Sequence, residues 1–300
     1  PATCFTREAH EMTEWTFETI AERDSLTEGP AWDGTGLLYS HCSADLTMRW
    51  DPQTGESSVW REDTGGANGM VFDHNGRLFA CEGKNRRIVG YVAGEPTRVI
   101  VDNFDGRPFN EPNDLAIDAR GRIWFTDPNY GGRPLSIPTE QVYRADPHPD
   151  GSYTAVRVTE DMRRPNGILI SPSGDRLFVA DSVGGVKPHP RFVSYPINLD
   201  GSLGDQSTLH DFGWGRGIDG MCWDADNNIV ASAGSYSYGP GPMIYVFNTD
   251  GRVLETHRTP SDMPTNCLFG GPGYDELFIT YGTGTVHRVR DSGLKGRPTL

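Results

Sequence analysis

The sequence predicts an all-β fold, a six-bladed β-propeller with four antiparallel strands in each blade. One strand–turn–strand pattern occurs six times along the chain, and its copies begin 40 to 53 residues apart. Blades of four strands repeat at about this period, whereas helical repeats would show apolar residues every three to four positions. The 37 glycines and 22 prolines supply the many turns that short strands need.

The pattern is clearest in "NDLAIDARGRIWFTD", which begins at residue 113. Each copy starts with a polar residue, usually followed by a small one, and continues with an apolar run, in most copies a turn rich in Asp and Gly, and a second apolar run. The six copies begin at Glu28, Asn68, Asn113, Asn166, Asp219 and Asn266. Each copy therefore predicts a hairpin that forms the two inner strands of one blade.

Segments between the copies predict the two outer strands of the blades. Examples are "LTMRWDP" with "SSVWRED", "RIVGYVAG" with "TRVIVDN" and "QVYRADP" with "TAVRVTE". The stretch "WTFETIAER" precedes the first copy, and we expect it to close the ring as the outer strand of the last blade, which removes exposed sheet edges. The sequence thus predicts one propeller domain over residues 1–300, with residues 1–14 as an N-terminal extension.

The composition argues against several classes of partner. The net charge of −14 and the lack of any Lys/Arg block argue against nucleic acid and against anionic membrane surfaces. No apolar run approaches the length that spans a bilayer. We expect a small-molecule partner, and the sequence indicates no particular oligomeric state.

The number and spacing of the cysteines indicate the redox state of the compartment in which the protein works. The five are Cys4, Cys42, Cys81, Cys222 and Cys267; they form no CxxC pair and, being odd in number, cannot all pair with one another. This favours free thiols in a reducing compartment. The start "PATCFTREAH" has no apolar signal core, so the sequence predicts a cytoplasmic protein, although a chain that begins at Pro1 is also compatible with a processed export signal.

The residues that start the six copies all carry side-chain oxygens. The first strand of a blade is the innermost, so these residues are expected to converge on one face of the central channel. For any single copy, an Asn or Asp that caps a strand end is the simpler interpretation. Six converging copies that include the carboxylates of Glu28 and Asp219 favour a cation site, because buried carboxylates without a counter-charge are costly.

At these residues the sequence resembles the gluconolactonase family of six-bladed propeller hydrolases, also called the SMP-30 or regucalcin family. The resemblance runs from about Glu28 to Arg290 and rests on "EGPAW", "NGMVFD", "PNDLAI" with "FTDPNYG", "RPNGI" with "LFVADS", "DGMCWD" and "PTNCLFGG". It implies a metal site formed by Glu28, Asn166 and Asp219, with Asn113 as a further ligand or a substrate contact. Regucalcin-like members carry Arg where this chain has Glu111, so the chain looks more like the bacterial gluconolactonase branch.

The chemistry of these four residues agrees with a metal site. Two carboxylates and two amide oxygens form a hard donor set that suits one Ca²⁺ ion, with Mg²⁺, Mn²⁺ or oxygen-bound Zn²⁺ as alternatives. No Cys or His starts a copy, which argues against a thiolate zinc site.

Three long loops are expected to shape a substrate pocket on the same face, because each follows the second strand of a blade. They span residues 128–140, 182–192 and 234–243, and their candidate side chains are Tyr130, Arg133, Lys187, His189, Tyr236 and Tyr238. Acidic residues also end the second strands of three blades. They are Glu82, Asp127 and Asp181, and they are expected either to cap the strand ends or to support the site through polar contacts. The substrate-binding prediction comprises Asn113, Tyr130, Arg133, Tyr236 and Asp127.

The sequence therefore predicts a metal-dependent lactonase. No Gly-x-Ser-x-Gly or His-Glu-x-x-His motif points to another hydrolase class. We expect the cation to polarise the lactone carbonyl and Asp219 to act as the general base for water. Two alternatives are a phosphotriesterase that uses the same four residues and a non-catalytic propeller that binds a partner.

Overall fold

The computed structural model describes residues 14–182 and 189–298. These residues form six four-stranded antiparallel sheets, and the first strands of neighbouring sheets pack against one another around a central axis. The predicted six-bladed propeller is therefore confirmed. The prediction of one domain over residues 1–300 stays a prediction, and most of its extension lies outside the described range.

The strands of the first three blades match the predicted hairpins. After β1 (Glu18–Glu22), blade one comprises β2 (Thr27–Trp32), β3 (Leu37–His41), β4 (Leu46–Trp50) and β5 (Ser57–Arg61). Blade two comprises β6 (Ala67–Phe72), β7 (Leu78–Glu82), β8 (Arg87–Tyr91) and β9 (Arg98–Val101). A small hairpin of β10 (Asn103–Phe104) and β11 (Arg107–Pro108) leads to blade three, which comprises β12 (Leu115–Ile117), β13 (Ile123–Asp127), β14 (Gln141–Pro147) and β15 (Tyr153–Arg157).

The other three blades repeat this order. Blade four comprises β16 (Pro165–Ile170), β17 (Arg176–Asp181), β18 (Arg191–Pro196) and β19 (Ser207–Asp211). Blade five comprises β20 (Ile218–Trp223), β21 (Ile229–Ala233), β22 (Met243–Phe247) and β23 (Val253–Arg258). Blade six comprises β24 (Pro264–Gly270), β25 (Glu276–Tyr281) and β26 (Thr285–Val289), with β1 as its fourth strand.

The ring closes where β1 pairs with β26, as the stretch "WTFETIAER" predicts. The two strands are antiparallel, and Glu18 lies opposite Arg288 in their register. The Arg288 guanidinium donates to the Glu18 carboxylate at 2.8 Å. The start and the end of the described chain therefore share one sheet, so the last blade has no unpaired outer edge.

Small residues follow most starting residues because the blades meet closely at the axis. They are Gly29, Gly69, Gly167 and Gly220. A Cβ on Gly29, whose φ is +48°, would lie 1.9 Å from the carbonyl oxygen of Asn68 in the next blade. A Cβ on Gly220 would lie 2.0 Å from Cγ of Asn266. In the third copy this position is Asp114, so a carboxylate enters the crowded centre of the ring.

Apolar side chains fill the space between neighbouring blades. Phe79 of blade two packs in one cluster with Phe125 of blade three, and Trp32 of blade one stacks on Phe278 of blade six with ring centroids 5.7 Å apart. This packing stabilises the ring independently of the polar residues at the axis.

Helical structure is limited in the described residues to one 3-10 turn, Cys42–Ala44. In this part of the chain there is no helix of the length and apolar character needed to cross a bilayer. Cys42, Cys81, Cys222 and Cys267 are free thiols, which confirms that expectation for these four. Cys4 lies outside the described residues.

Candidate active site

A cavity of about 490 Å³ opens on the face where the first strands begin. All four predicted metal ligands line it: Glu28, Asn113, Asn166 and Asp219. Asn68 and Tyr130 also contribute to its wall, so residues of five blades meet there. The opposite end of the central channel holds a separate, mainly apolar cavity of about 190 Å³, with Asp114 and Asn266 among its lining residues.

Glu28 is a buried carboxylate without a cationic partner. It is 4% exposed, and it accepts hydrogen bonds from Gly29 N at 2.7 Å and from Asn266 Nδ2 at 3.3 Å. No Lys, Arg or His in the described ranges forms an ion pair with it. Burial raises the pKa of Glu28 well above its ordinary value, and the nearby carboxylates of Asp219 and Asp114 raise it further. A bound cation would remove this electrostatic cost.

Asp219 faces the same cavity but has a partner. Arg216 Nη2 donates a hydrogen bond to Asp219 Oδ2. Burial raises the pKa of Asp219, while Arg216 and Asn166 oppose that rise. Asp114 lies deeper, and burial raises its pKa to about 7 against the hydrogen bond from Leu115 N. Three acidic groups thus lie close enough to influence one another's ionisation.

The two asparagines are positioned differently. Asn166 Nδ2 donates to the Tyr130 hydroxyl at 2.8 Å, and the Arg164 guanidinium lies over the Tyr130 ring at 5.5 Å from its centroid. Tyr130 is 44% exposed as a residue, yet burial of its hydroxyl raises the pKa of Tyr130. The Asn113 backbone is held by bonds to Thr126 O at 3.0 Å and from Gly69 N at 2.8 Å. These bonds leave the Asn113 side chain free to face the cavity.

The donor set is suited to a hard divalent cation when the amides are included. Within residues 14–182 and 189–298, no three His, Cys, Asp or Glu side chains are arranged to hold an ion. Asp219 is turned towards Arg216, and Asp114 accepts the Leu115 N–H, so the acids by themselves form no cage. The uncompensated charge of buried Glu28 and the amide oxygens beside it nevertheless match the ligands that Ca²⁺ prefers.

Arg133 and Asp127, two of the predicted substrate contacts, form hydrogen bonds with backbone groups next to the cavity. The Arg133 guanidinium donates to the carbonyl oxygens of Gly83 at 2.6 Å and Lys84 at 3.0 Å, which ties the loop 128–140 to blade two. Asp127 is fully buried and accepts the N–H groups of Asn110 at 2.9 Å and Glu111 at 2.8 Å. Neither residue lines the cavity; both hold the backbone beside it, and their contact with a substrate stays a prediction.

Tyr236 does not line this cavity, and its contact with a substrate stays a prediction. Its N–H donates to Asp262 Oδ1 at 2.7 Å, and its hydroxyl donates to Pro260 O at 2.9 Å. These bonds turn the loop 234–243 towards a separate cavity that Trp15 and His257 also line. In the loop 182–192, residues 183–188 with Lys187 lie outside the described residues, while the His189 ring packs edge-on against Trp214.

Sequence reasoning missed two charged residues that line the cavity, Lys84 and Arg216, and it singled out Glu111, which also lines the cavity, only as a departure from regucalcin-like members. Glu111 Oε2 accepts the Gly131 N–H at 2.7 Å, and Lys84 Nζ pairs with Asp45 at 2.8 Å. Arg216 lies three residues before Asp219, and this short spacing was the available signal. Asp114 was also detectable, because it replaces the glycine that four of the copies carry.

A protein-family model matches most of the chain that forms the propeller. The model described as "SMP-30/Gluconolactonase/LRE-like region" matches residues 26–283. The chain belongs to this family. The match contains β2 to β25, so it spans blades one to five and the two inner strands of blade six.

Individual members of the family are similar over most of the chain. A gluconolactonase from Zymomonas mobilis is 31% identical over 303 aligned residues, which cover 91% of this chain and 80% of that protein. A regucalcin from Xenopus laevis is 25% identical and covers 92% of this chain and 94% of its own. Among solved structures, a gluconolactonase from Xanthomonas campestris superposes with a TM-score of 0.76 at 28% identity, covering 92% of this chain and 89% of that one.

Proposed function

We propose that the protein is a metal-dependent lactonase that hydrolyses a sugar lactone or a related small lactone. The observation that carries the proposal is that the buried carboxylate of Glu28 and the partly buried carboxylate of Asp219 line one cavity with the amides of Asn113 and Asn166. The similarity to gluconolactonases supports it independently. The cavity volume of about 490 Å³ lies in the usual range for small-molecule sites.

Glu28, Asn166 and Asp219 would hold one divalent ion, with Asn113 as a fourth ligand or a substrate contact. Ca²⁺ is the ion that this donor set favours. A bound ion of this kind supplies Lewis acidity that polarises the lactone carbonyl and stabilises developing negative charge. The carboxylate charges therefore bind the ion, and the neutral amides complete the ligand set without adding charge.

Asp219 is the proposed general base. One of its oxygens is paired with Arg216, which leaves Oδ1 to accept a proton from the attacking water. Tyr130 and Asn113 line the cavity and would contact the substrate, while Asp127 and Arg133 hold the adjoining backbone in place. Water adds to the acyl carbon, the ring C–O bond breaks, and the alkoxide leaving group takes the proton.

A substrate panel tests the proposal. Protein stripped of metal and then reloaded with Ca²⁺ is assayed on gluconolactone, a small aliphatic lactone and a phosphotriester, with the uncatalysed rates subtracted. We expect turnover of a lactone that a chelator abolishes. Turnover of the phosphotriester alone would identify the phosphotriesterase alternative, and no turnover of any substrate would favour a binding module.

Three variants separate the roles of the two carboxylates. Asp219→Asn is expected to reduce turnover by about 10²–10⁴-fold, the usual contribution of a general base, while it retains some Ca²⁺ binding. Glu28→Gln should lose activity mainly through lost metal, and excess Ca²⁺ should restore part of it. Asp205→Asn is the control, because this exposed carboxylate forms no hydrogen bond or ion pair with the described residues. Equal rescue of Asp219→Asn by excess Ca²⁺ would show that Asp219 is only a ligand.

A further inference from the structure

Arg216 is held rigidly at the cavity by backbone groups of two blades. Its Nη1 donates to the carbonyl oxygens of Gly234 at 3.0 Å and Pro264 at 2.9 Å. The Gly234 N–H in turn donates to Arg216 O at 3.0 Å. The side chain is 23% exposed. Because both hydrogens of Nη1 are used for anchoring, the guanidinium has a fixed position and its Nη2 edge faces the site.

The remaining donors of Arg216 have few partners. Nη2 donates to Asp219 Oδ2, while Nε and the second Nη2 hydrogen have no protein acceptor among the described residues. Arg216 lines the same cavity as Glu28 and Asn166. The guanidinium therefore presents unused N–H groups beside the proposed reaction centre.

Two cationic residues, Lys84 and Arg216, line the cavity. Arg216 is paired with Asp219, which is a proposed metal ligand. Lys84 is paired with Asp45 outside the proposed ligand set. A divalent ion on Glu28 and Asp219 would neutralise both carboxylates and leave the charge of Arg216 uncompensated. A planar guanidinium with free donors preferentially binds a carboxylate through paired hydrogen bonds.

We propose that Arg216 recognises the carboxylate of the ring-opened hydroxy acid when Asp219 is engaged by the metal. The inference rests on the proposed lactonase function, since hydrolysis of a lactone converts a neutral acyl group into this carboxylate. Arg216 thereby distinguishes the product anion from neutral molecules of the same shape. The residue also competes with the metal for Asp219, so its charge weakens metal binding.

Calorimetry on the Ca²⁺-loaded protein tests anion recognition. The probes are two hydroxy acids, gluconate and 4-hydroxybutyrate, each paired with its neutral analogue, glucitol and 1,4-butanediol. We expect Arg216→Gln to weaken binding of at least one hydroxy acid by about 10- to 100-fold, the usual effect of losing a charge-assisted hydrogen bond. Binding of the neutral analogue should stay within about twofold. Unchanged anion affinity in Arg216→Gln, or no binding of either acid to the unmodified protein, would overturn the proposal.

A Ca²⁺ titration of the metal-stripped protein tests the competition for Asp219. Arg216→Gln should bind Ca²⁺ more tightly, by roughly tenfold, because it removes a positive charge next to the ligand. Weaker Ca²⁺ binding would instead show that Arg216 only supports Asp219 structurally, and it would overturn the proposal. Arg216→Lys keeps the charge but lacks the planar fork, so its anion affinity should be intermediate, and it serves as the test protein if Arg216→Gln does not fold.

A matched control and an activity assay separate the two proposals. Arg191→Gln removes a guanidinium that also pairs with an aspartate, Asp181, but that does not line the cavity. It should leave both anion and Ca²⁺ affinity unchanged. If the unmodified protein hydrolyses lactones while Arg216→Gln binds the anion normally, only the role of Arg216 fails. If anion binding depends on Arg216 but no lactone is hydrolysed, the lactonase function fails.

Discussion

The backbone segments that lead to Asn113 and Asn166 are held by two equivalent carboxylates with different surroundings. Asp127 ends the second strand of blade three and accepts the N–H groups of Asn110 and Glu111. Asp181 ends the second strand of blade four and accepts the N–H groups of Arg163 and Arg164 at 3.1 and 3.0 Å. Both carboxyl groups are fully buried. The same hydrogen-bonding device therefore positions both asparagines.

The two carboxylates differ in their charge partners. Asp181 Oδ2 is paired with the guanidinium groups of Arg163 at 3.0 Å and Arg191 at 2.9 Å. Burial raises the pKa of Asp181, but the bonds from Arg164 N, Arg191 and Arg163 outweigh burial, and the net pKa is lowered. No guanidinium contacts Asp127 in the described chain, and burial raises its pKa to about 7. Position in the fold thus determines the backbone contacts, while neighbouring side chains determine the ionisation.

The largest expected effect is on the pH dependence of stability. Between its ordinary pKa of 3.8 and about 7, Asp127 is ionised in the unfolded chain and protonated in the folded one, so stability falls as pH rises through this window. Asp127→Asn should remove its own share of that fall, about 4 kcal/mol for a pKa shift of this size, while Glu28 and Asp114, whose pKa values are also raised, keep theirs. Urea unfolding of the metal-free protein between pH 4 and 8 measures the difference.

Asp181→Asn should change the profile in the opposite sense. A lowered folded pKa means that Asp181 contributes stability above its unfolded pKa and loses it as the pH falls through the folded value. The variant should therefore lose less stability than the unmodified protein when the pH falls from 5 to 2.5. If Asp127→Asn and Asp181→Asn changed the pH dependence of stability in the same direction, the arginines beside Asp181 would not make its ionisation different from that of Asp127.

The second effect concerns the asparagines that these segments carry. The Asn166 amide is oriented by Tyr130, whereas the Asn113 side chain has no hydrogen bond in the described residues. We expect Asn166→Ala to reduce Ca²⁺ affinity by about 100-fold and Asn113→Ala by about 10-fold, because a preoriented ligand contributes more. Calorimetric titration with Ca²⁺ compares them, and equal losses would remove the distinction between the two positions.

Tyr130→Phe should have a smaller effect through the same asparagine. Loss of the hydroxyl that accepts the Asn166 Nδ2 bond should weaken Ca²⁺ binding by about 10-fold, as for other residues that orient a metal ligand. Tyr143→Phe is the matched control, because the buried Tyr143 hydroxyl has no hydrogen-bond partner. The same loss in both variants would contradict an orienting role for Tyr130.

The smallest expected effect is that of Arg191→Gln on stability. Arg191 is 25% exposed, and Asp181 keeps Arg163 and two backbone N–H groups when Arg191 is replaced. The free energy of unfolding at pH 7 should change by less than about 1 kcal/mol, as for other partly exposed ion pairs. A loss above about 2 kcal/mol would mean that Asp181 depends on this guanidinium as a buried pair does.

Local patterns explain why much of the fold was predictable. Each hairpin is encoded within about 15 residues by alternating apolar positions and a turn. The stretch "WTFETIAER" precedes the first copy and belongs to no hairpin, so it is assigned to the outer edge of the last blade. The convergence of Glu28, Asn113, Asn166 and Asp219 followed from the repeat, because equivalent positions in a ring of blades must face the same axis. Their roles in metal binding and catalysis stay predictions.

The sequence by itself therefore determined the blades, their order and the residues that start them, since short-range periodicity and turn residues specify strands locally. Only the tertiary structure decided which side chains join those residues. Tyr236 is directed away by bonds to Pro260 and Asp262, and Arg216 is brought to the axis by carbonyl groups of Gly234 and Pro264. Such contacts connect residues that lie 18 to 48 positions apart, and no local pattern encodes them.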